Sequence, residues 1–190
     1  VFPTPDLIEM IQDKGVQKDF YTTNNIPTSK YQLFDSELNI DWDIPFVQKL
    51  RKGGYDGKGV SVINGKDKLN NLLHGPTLVE ELIEFEMEVS AIVARNSNGD
   101  VKTFPMVAME FDPEANLVEF LYSPAGYSPQ IEKKGSLIAK SIAEKSQLVG
   151  VLAVEMFLTK EGDILVNEIA PRPHNSGHQT IEGNLTSQYE

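Results

Sequence analysis

The chain has 190 residues, 40% hydrophobic and 24% charged, with no cysteine and a formal net charge of −11. That length supports one large domain or two small lobes with a real core, and no apolar run approaches the ~20 residues that span a bilayer. The absence of cysteine excludes disulfides, thiolate zinc sites and a cysteine nucleophile and fits a reducing, cytoplasmic setting, while the acidic balance argues against nucleic acid as a partner.

In chain order, Asp6 to Asn24 reads as one helix, apolar at Leu7, Ile8, Ile11, Val16 and Phe20, with Gly15 as its weak point. Ile26-Pro27-Thr28 ends it. Pro45 to Leu50 and Gly59 to Ile63 read as strands around the glycine-rich loop 53–59, and Asp67 to His74 as a short helix. Thr77 to Ile83 is expected to be a strand. Glu88 to Arg95 and Val101 to Glu110 should form a hairpin about Asn98-Gly99, a type I′ signal. Leu117 to Tyr122 reads as a strand and Ser128 to Ser146 as an amphipathic helix. Gly150 to Thr159 and Ile164 to Ala170 are strands joined across Glu161-Gly162. The expectation is an α+β chain with mainly antiparallel sheets, in two lobes that divide near residue 75. Both ends read as cut from a longer protein, since the chain opens without methionine and closes without a helix-stop signal.

Four segments carry chemistry. The loop Gly53-Gly54-Tyr55-Asp56-Gly57-Lys58-Gly59 frees backbone N–H groups to turn towards an anion. It lies in the one dense basic cluster, Lys49, Arg51, Lys52 and Lys58, which suits a small anionic ligand. It is not a Walker A loop: it is one residue too short, no Ser or Thr follows Lys58, and a strand rather than a helix comes next. A plain glycine-rich hairpin tip is the alternative. With a two-residue turn at Glu161-Gly162, Glu155 falls directly opposite Glu168 among apolar neighbours. Like charges opposed in a sheet need a cation or a shared proton, and oxygen ligands near an anion suit Mg²⁺. Two glutamates splayed to solvent in a slipped register are the alternative. The third segment, Ala170-Pro171-Arg172-Pro173-His174-Asn175-Ser176-Gly177-His178, offers Arg172 as an anion fork and His174 as a donor, acceptor or proton carrier. A zinc site from His174 and His178, or a solvated polar loop, would also fit. The fourth, Val79-Glu80-Glu81-Leu82-Ile83 followed by Glu88, could offer backbone groups to an adenine edge and a carboxylate to a ribose, or be a solvated strand edge.

In this order the segments resemble the ATP-grasp superfamily. Gln12-Asp13-Lys14 with Gln17-Lys18, Ile26-Pro27-Thr28, the glycine loop and the run Asn167 to His178 most resemble its 5-(carboxyamino)imidazole ribonucleotide synthase family, across essentially the whole chain. The resemblance implies an ATP-grasp fold that clamps a nucleotide, with residues 1–13 as the tail of an N-terminal domain, 14–75 as a first lobe and 76–190 as a second. It implies ATP-dependent carboxylation of 5-aminoimidazole ribonucleotide by bicarbonate, through carboxyphosphate, in a homodimer. Lys14 and Lys49 would contact phosphates under the flap (Gly54, Tyr55, Asp56, Gly57, Lys58, Gly59). Glu80, Glu81, Leu82 and Ile83 would form the adenine hinge and Glu88 would hold the ribose. Glu155 and Glu168 would bind Mg²⁺ beside Asn167. Arg172 and His174 would hold bicarbonate, with Tyr55 on the substrate side. Competing expectations are another ATP-grasp ligase or carboxylase, and a non-catalytic nucleotide-binding module.

Overall fold

The computed structural model describes residues 2–35, 42–54, 58–112 and 117–190. Two antiparallel sheets organise them. The smaller holds β1 (Tyr31–Phe34), β2 (Phe46–Leu50), β3 (Val60–Ile63) and β4 (Thr77–Glu81) in the order β1-β4-β2-β3. The larger holds β5 (Phe85–Arg95), β7 (Val107–Asp112), β8 (Leu117–Tyr122), β9 (Gly150–Thr159) and β10 (Ile164–Ala170) in the order β10-β9-β5-β7-β8, and β6 (Val101–Thr103) pairs with the far end of β5. The helices are α1 (Pro5–Gln12), α2 (Lys14–Thr23), α3 (Pro129–Lys145) and the single turn α4 (Thr180–Gly183).

Alternation sets the two faces of the large sheet. Val89, Ala91 and Val93 of β5 and Leu152, Val154 and Met156 of β9 point into one core with Ala139, Ile142 and Ala143 of α3. Leu7 of α1, Tyr21 of α2 and Ile26 belong to the same core. α2 therefore touches both sheets: Tyr21 joins the core of the large one, and Lys18 pairs with Glu80 of β4 in the small one. Chain also crosses between the two at Thr28, which forms a parallel bridge to Val166, with Val166 N–H donating to Pro27 O at 2.8 Å. The opposite face of the large sheet carries Glu88, Ser90, Glu155 and Phe157.

The structure corrects several local expectations. The helix expected over 6–24 is two helices. The break is at Asp13, in extended conformation, and not at Gly15. Asp13 Oδ1 caps α2 by accepting from Gly15 N (2.9 Å) and Val16 N (3.3 Å), and its two oxygens take a bidentate fork from Arg51 at 2.9 Å each. An Asp with those partners is worth more as an N-cap than inside a helix. β1 was not anticipated. The segment over 67–74 is a 3-10 turn, Lys66–Asn71, and the strand over 77–83 ends at Glu81. The Asn98-Gly99 hairpin closes through a five-residue loop, in which Asn96 Oδ1 accepts from Asn98 N (2.9 Å) and Asp100 N (3.0 Å). Its second strand breaks before Pro105, which has no N–H to give a ladder, so β6 and β7 pair with different stretches of β5.

The β9–β10 turn is a further correction. Thr159 N–H donates to Asp163 O at 2.8 Å, closing a three-residue loop with Gly162 at φ +81°, the left-handed position that favours glycine. That turn displaces the register by one, pairing Leu158 with Ile164 and Met156 with Val166. Continued, it would place Asn167 opposite Glu155. A β-bulge between Val166 and Glu168 absorbs the difference, and Glu168 pairs with Glu155 after all.

Replacing Asp13 with Ala removes the α2 cap and leaves Arg51 without its fork, so it is expected to lower stability by about 1–3 kcal/mol. Burial raises the Asp13 carboxyl, but Arg51 and the cap hydrogen bonds outweigh it and hold the carboxyl below its ordinary 3.8. The stability it contributes is therefore present above that value and lost as pH falls through the lowered one. Urea denaturation as a function of pH checks both: the two proteins should differ clearly at pH 7, and the difference should shrink only once pH falls below 3.8.

Candidate active site

The bulge builds the site. An extra residue on one strand re-aims the side chains beside it, and here Asn167 and Glu168 both reach groups of the small sheet and α2. Lys49 of β2 donates to Asn167 Oδ1 at 2.8 Å, and Lys14, the first residue of α2, pairs with Glu168. Directly across the ladder, Glu155 takes His174 Nε2 at 3.0 Å. The opposed carboxylates are thus directly paired, and each has its own cation or donor, with the Glu155 side chain 20% and the Glu168 side chain 42% exposed. Burial would raise Glu168, yet Lys14 first and then Lys49 hold it below its ordinary value.

Glu80 lies behind this row, on the face of β4 it shares with Lys49. It is 3% exposed and is held by Lys49 (2.6 Å) and by Lys18 of α2, itself 2% exposed. Ser29 Oγ donates to Glu80 Oε1 at 2.8 Å, and Lys18 Nζ donates to Ser29 Oγ, also at 2.8 Å. Burial alone would raise the Glu80 carboxyl; Lys49 and Lys18 reverse that and hold it at about 2. Its carboxylate is therefore committed to Lys18, Lys49 and Ser29. Of the segment Glu80 to Ile83, Leu82 and Ile83 leave the ladder, between β4 and β5.

Glu88 sits two residues along β5 from Ser90, which pairs with Glu155. Burial first, and the Glu155 carboxylate second, push it up to about 7, with Glu168 adding and Lys49 opposing. Three carboxylates share one face, and the local cations do not fully compensate them.

The loop after β10 carries His174 on a 3-10 turn, Asn175–Gly177. Ser176 N–H donates to His174 Nδ1 at 3.3 Å. An N–H can only donate, so Nδ1 is the acceptor and Nε2 bears the proton aimed at Glu155. Ser176 Oγ lies 2.9 Å from the same Nδ1 and 2.8 Å from the buried Ser90 Oγ. Both ring nitrogens are engaged. His178 is exposed and stacks on Tyr189 (centroids 6.4 Å apart), so the two histidines do not converge on a zinc ion. Arg172 is exposed, and its guanidinium donates to Pro173 O at 3.1 Å rather than to Glu155 or Glu168.

The structure thus brings together Lys14, Lys49, Glu88, Glu155, Asn167, Glu168 and His174. Of the flap, Gly54, Lys58 and Gly59 lie among the described residues, and Gly53 and Gly59 take φ of +78° and +76°. Tyr55, Asp56 and Gly57 lie outside the described residues. Arg51, counted in the basic cluster, serves Asp13 and Asp35. Among the described residues no group of three or more His, Asp or Glu side chains is arranged to hold a metal ion. Lys18 and Ser176 stand in motifs the sequence singles out, but their roles could not be read there, and Ser90 was not singled out at all. A hydroxyl at Ser90 inside Val89-Ser90-Ala91-Ile92 was the available signal for it.

Two sheets with a row of cross-lobe lysines and opposed glutamates on late strands define an ATP-clamping fold, and residues 19–189 match the ATP-grasp domain. The chain belongs to the ATP-grasp family. Its relatives narrow the class: it is 44% identical over 194 residues to N5-carboxyaminoimidazole ribonucleotide synthase of Bacillus subtilis, covering 97% of this chain and 50% of that protein. The crystal structure of N5-carboxyaminoimidazole ribonucleotide synthetase from Thermotoga maritima superposes with a TM-score of 0.87 at 43% identity, over 99% of this chain and 49% of that one. An Aspergillus clavatus N5-carboxyaminoimidazole synthase, in complex with ADP and 5-aminoimidazole ribonucleotide, superposes with a TM-score of 0.86 at 28% identity, over 97% and 50%. The chain spans half or less of the length of these relatives.

Glu88 gives a pH signature. Its folded value, about 7, lies above its ordinary 4.5, so the folded state binds more protons between those values and stability falls as pH rises through them. In the ligand-free domain that loss should be on the order of 1–3 kcal/mol, and Glu88→Gln should flatten this limb. Urea midpoints from pH 4.5 to pH 8 measure it; an unchanged slope in the variant would assign the limb to another group.

Proposed function

We propose that this chain is the ATP-binding part of an enzyme that joins bicarbonate to 5-aminoimidazole ribonucleotide at the expense of ATP, by way of carboxyphosphate, in purine biosynthesis in the cytoplasm. The observation that carries the reading is the single face on which Lys14, Lys49, Glu155, Glu168 and the His174 loop converge, in a chain whose relatives bear this name. Residues 1–13 are read as the tail of a preceding domain, 14–75 as the first lobe and 76–190 as the second, within a homodimeric whole.

Bicarbonate is a poor electrophile. Phosphorylation gives it a leaving group, and the amine of the ribonucleotide then takes the carboxyl carbon. Such a step needs positioning and charge neutralisation more than a protein nucleophile. Lys14 and Lys49 would exchange Glu168 and Asn167 for phosphate oxygens, with the segment 53–59 closing above. The backbone of Leu82 and Ile83 would meet the adenine edge and Glu88 the ribose hydroxyls. Glu155 and Glu168, directly opposed with Asn167 beside them, are hard oxygen donors, and so they fit Mg²⁺. Bound there, the ion would neutralise phosphate charge. His174 Nε2–H, freed from Glu155, and Arg172 would hold bicarbonate.

In the full-length protein, ADP release should depend on bicarbonate and on 5-aminoimidazole ribonucleotide together. Glu168→Gln should lower kcat/KM by about 100-fold or more without moving the thermal midpoint appreciably. ADP release indifferent to the ribonucleotide would contradict the substrate; full activity in the variant would contradict the metal assignment.

A further inference from the structure

His174 is held from two sides. Its ring is held by Glu155 and Ser176; its backbone is held by a residue fourteen positions later. The Gln188 side chain, 3% exposed, accepts from His174 N at 2.9 Å through Oε1 and donates to His174 O at 2.7 Å through Nε2. One amide thus imitates a rung of a β-ladder across the loop. The rung is itself braced: Gln188 N–H donates to Thr180 Oγ1 (2.9 Å), and Thr180 Oγ1 donates to Gly177 O (2.6 Å), with Thr180 fully buried. Gly177 is required by this packing and not by its φ, because a Cβ there would overlap the Gln188 amide.

We propose that Gln188 is a positioning residue that fixes the backbone of His174 so that its ring faces Glu155, and that it sets bicarbonate capture through His174. The second half of this inference rests on the function proposed above. Gln188 is buried and its amide is held against one neighbour's backbone, so its effect travels through that neighbour. Supports of this kind typically contribute 10–100-fold to the group they orient.

The test uses the full-length protein with Gln188→Ala, His174→Ala and the double variant, and two readouts. The first is the His174 ring resonances in the ligand-free protein, assigned by their loss in His174→Ala. They should move in Gln188→Ala towards those of an unrestrained histidine. The second is steady-state kinetics, where kcat/KM for bicarbonate should fall about tenfold or more in Gln188→Ala, with KM for ATP within about twofold. The double variant should be no worse than His174→Ala alone, as expected of two residues acting as one unit. Gly177→Ala, which displaces the amide without removing it, should reproduce both effects and carries the test if Gln188→Ala does not fold. Unmoved ring resonances, or an effect of Gln188→Ala that adds fully to that of His174→Ala, would overturn the proposal. Moved resonances beside a His174→Ala enzyme with normal bicarbonate dependence would uphold the positioning and overturn the role given to His174.

Discussion

Crowded carboxylates on one face of the large sheet are the constraint on which the rest of the structure turns. Glu155 and Glu168 are directly opposed across β9 and β10, and Glu88 lies one strand away with its ionisation pushed up to about 7. Like charges so placed destabilise a sheet unless something answers them. The answers come from outside the sheet: Lys14 from α2, Lys49 from β2 and His174 from the loop after β10. Small lobe, large lobe and loop therefore meet where the charge demands it.

The lysines need support to stand there. Lys49 is steered by Glu80, and Glu80 is shared with the buried Lys18 and hydrogen-bonded by Ser29. Desolvating three charged groups is costly, and such a cluster is held together mainly because losing any member would leave a buried charge unanswered. Its value is positional: it aims Lys49 across the cleft at Asn167. Thr28, beside Ser29, donates to Val166 O at 2.7 Å, one residue before the bulge. The tie between the two sheets and the bulge that aims Glu168 are thus built from adjacent residues.

Much of this was legible in the sequence, and the failures have physical reasons. The strands β9 and β10 and the helix α3 announce themselves by periodicity. The Glu155–Glu168 pair emerged from a two-residue turn that does not exist; a three-residue turn and a bulge displace the register in opposite senses and cancel. Asp13 could not be recognised as a break, because its reason is Arg51, thirty-eight residues away. The same holds for Lys18 and Gln188, whose partners are set only once the sheets have closed. Motif residues that point at a ligand can be read locally; the residues that hold them cannot.

The most direct measurement is a calorimetric titration of the ligand-free protein with ATP, with and without Mg²⁺. If the cleft is a row of carboxylates only partly answered by lysines, nucleotide alone must compete with Glu168 for Lys14 and approach uncompensated charge, so binding should be strongly Mg²⁺-dependent. Equal affinity with and without the ion would contradict the account, because the carboxylates would then have no part in holding the nucleotide.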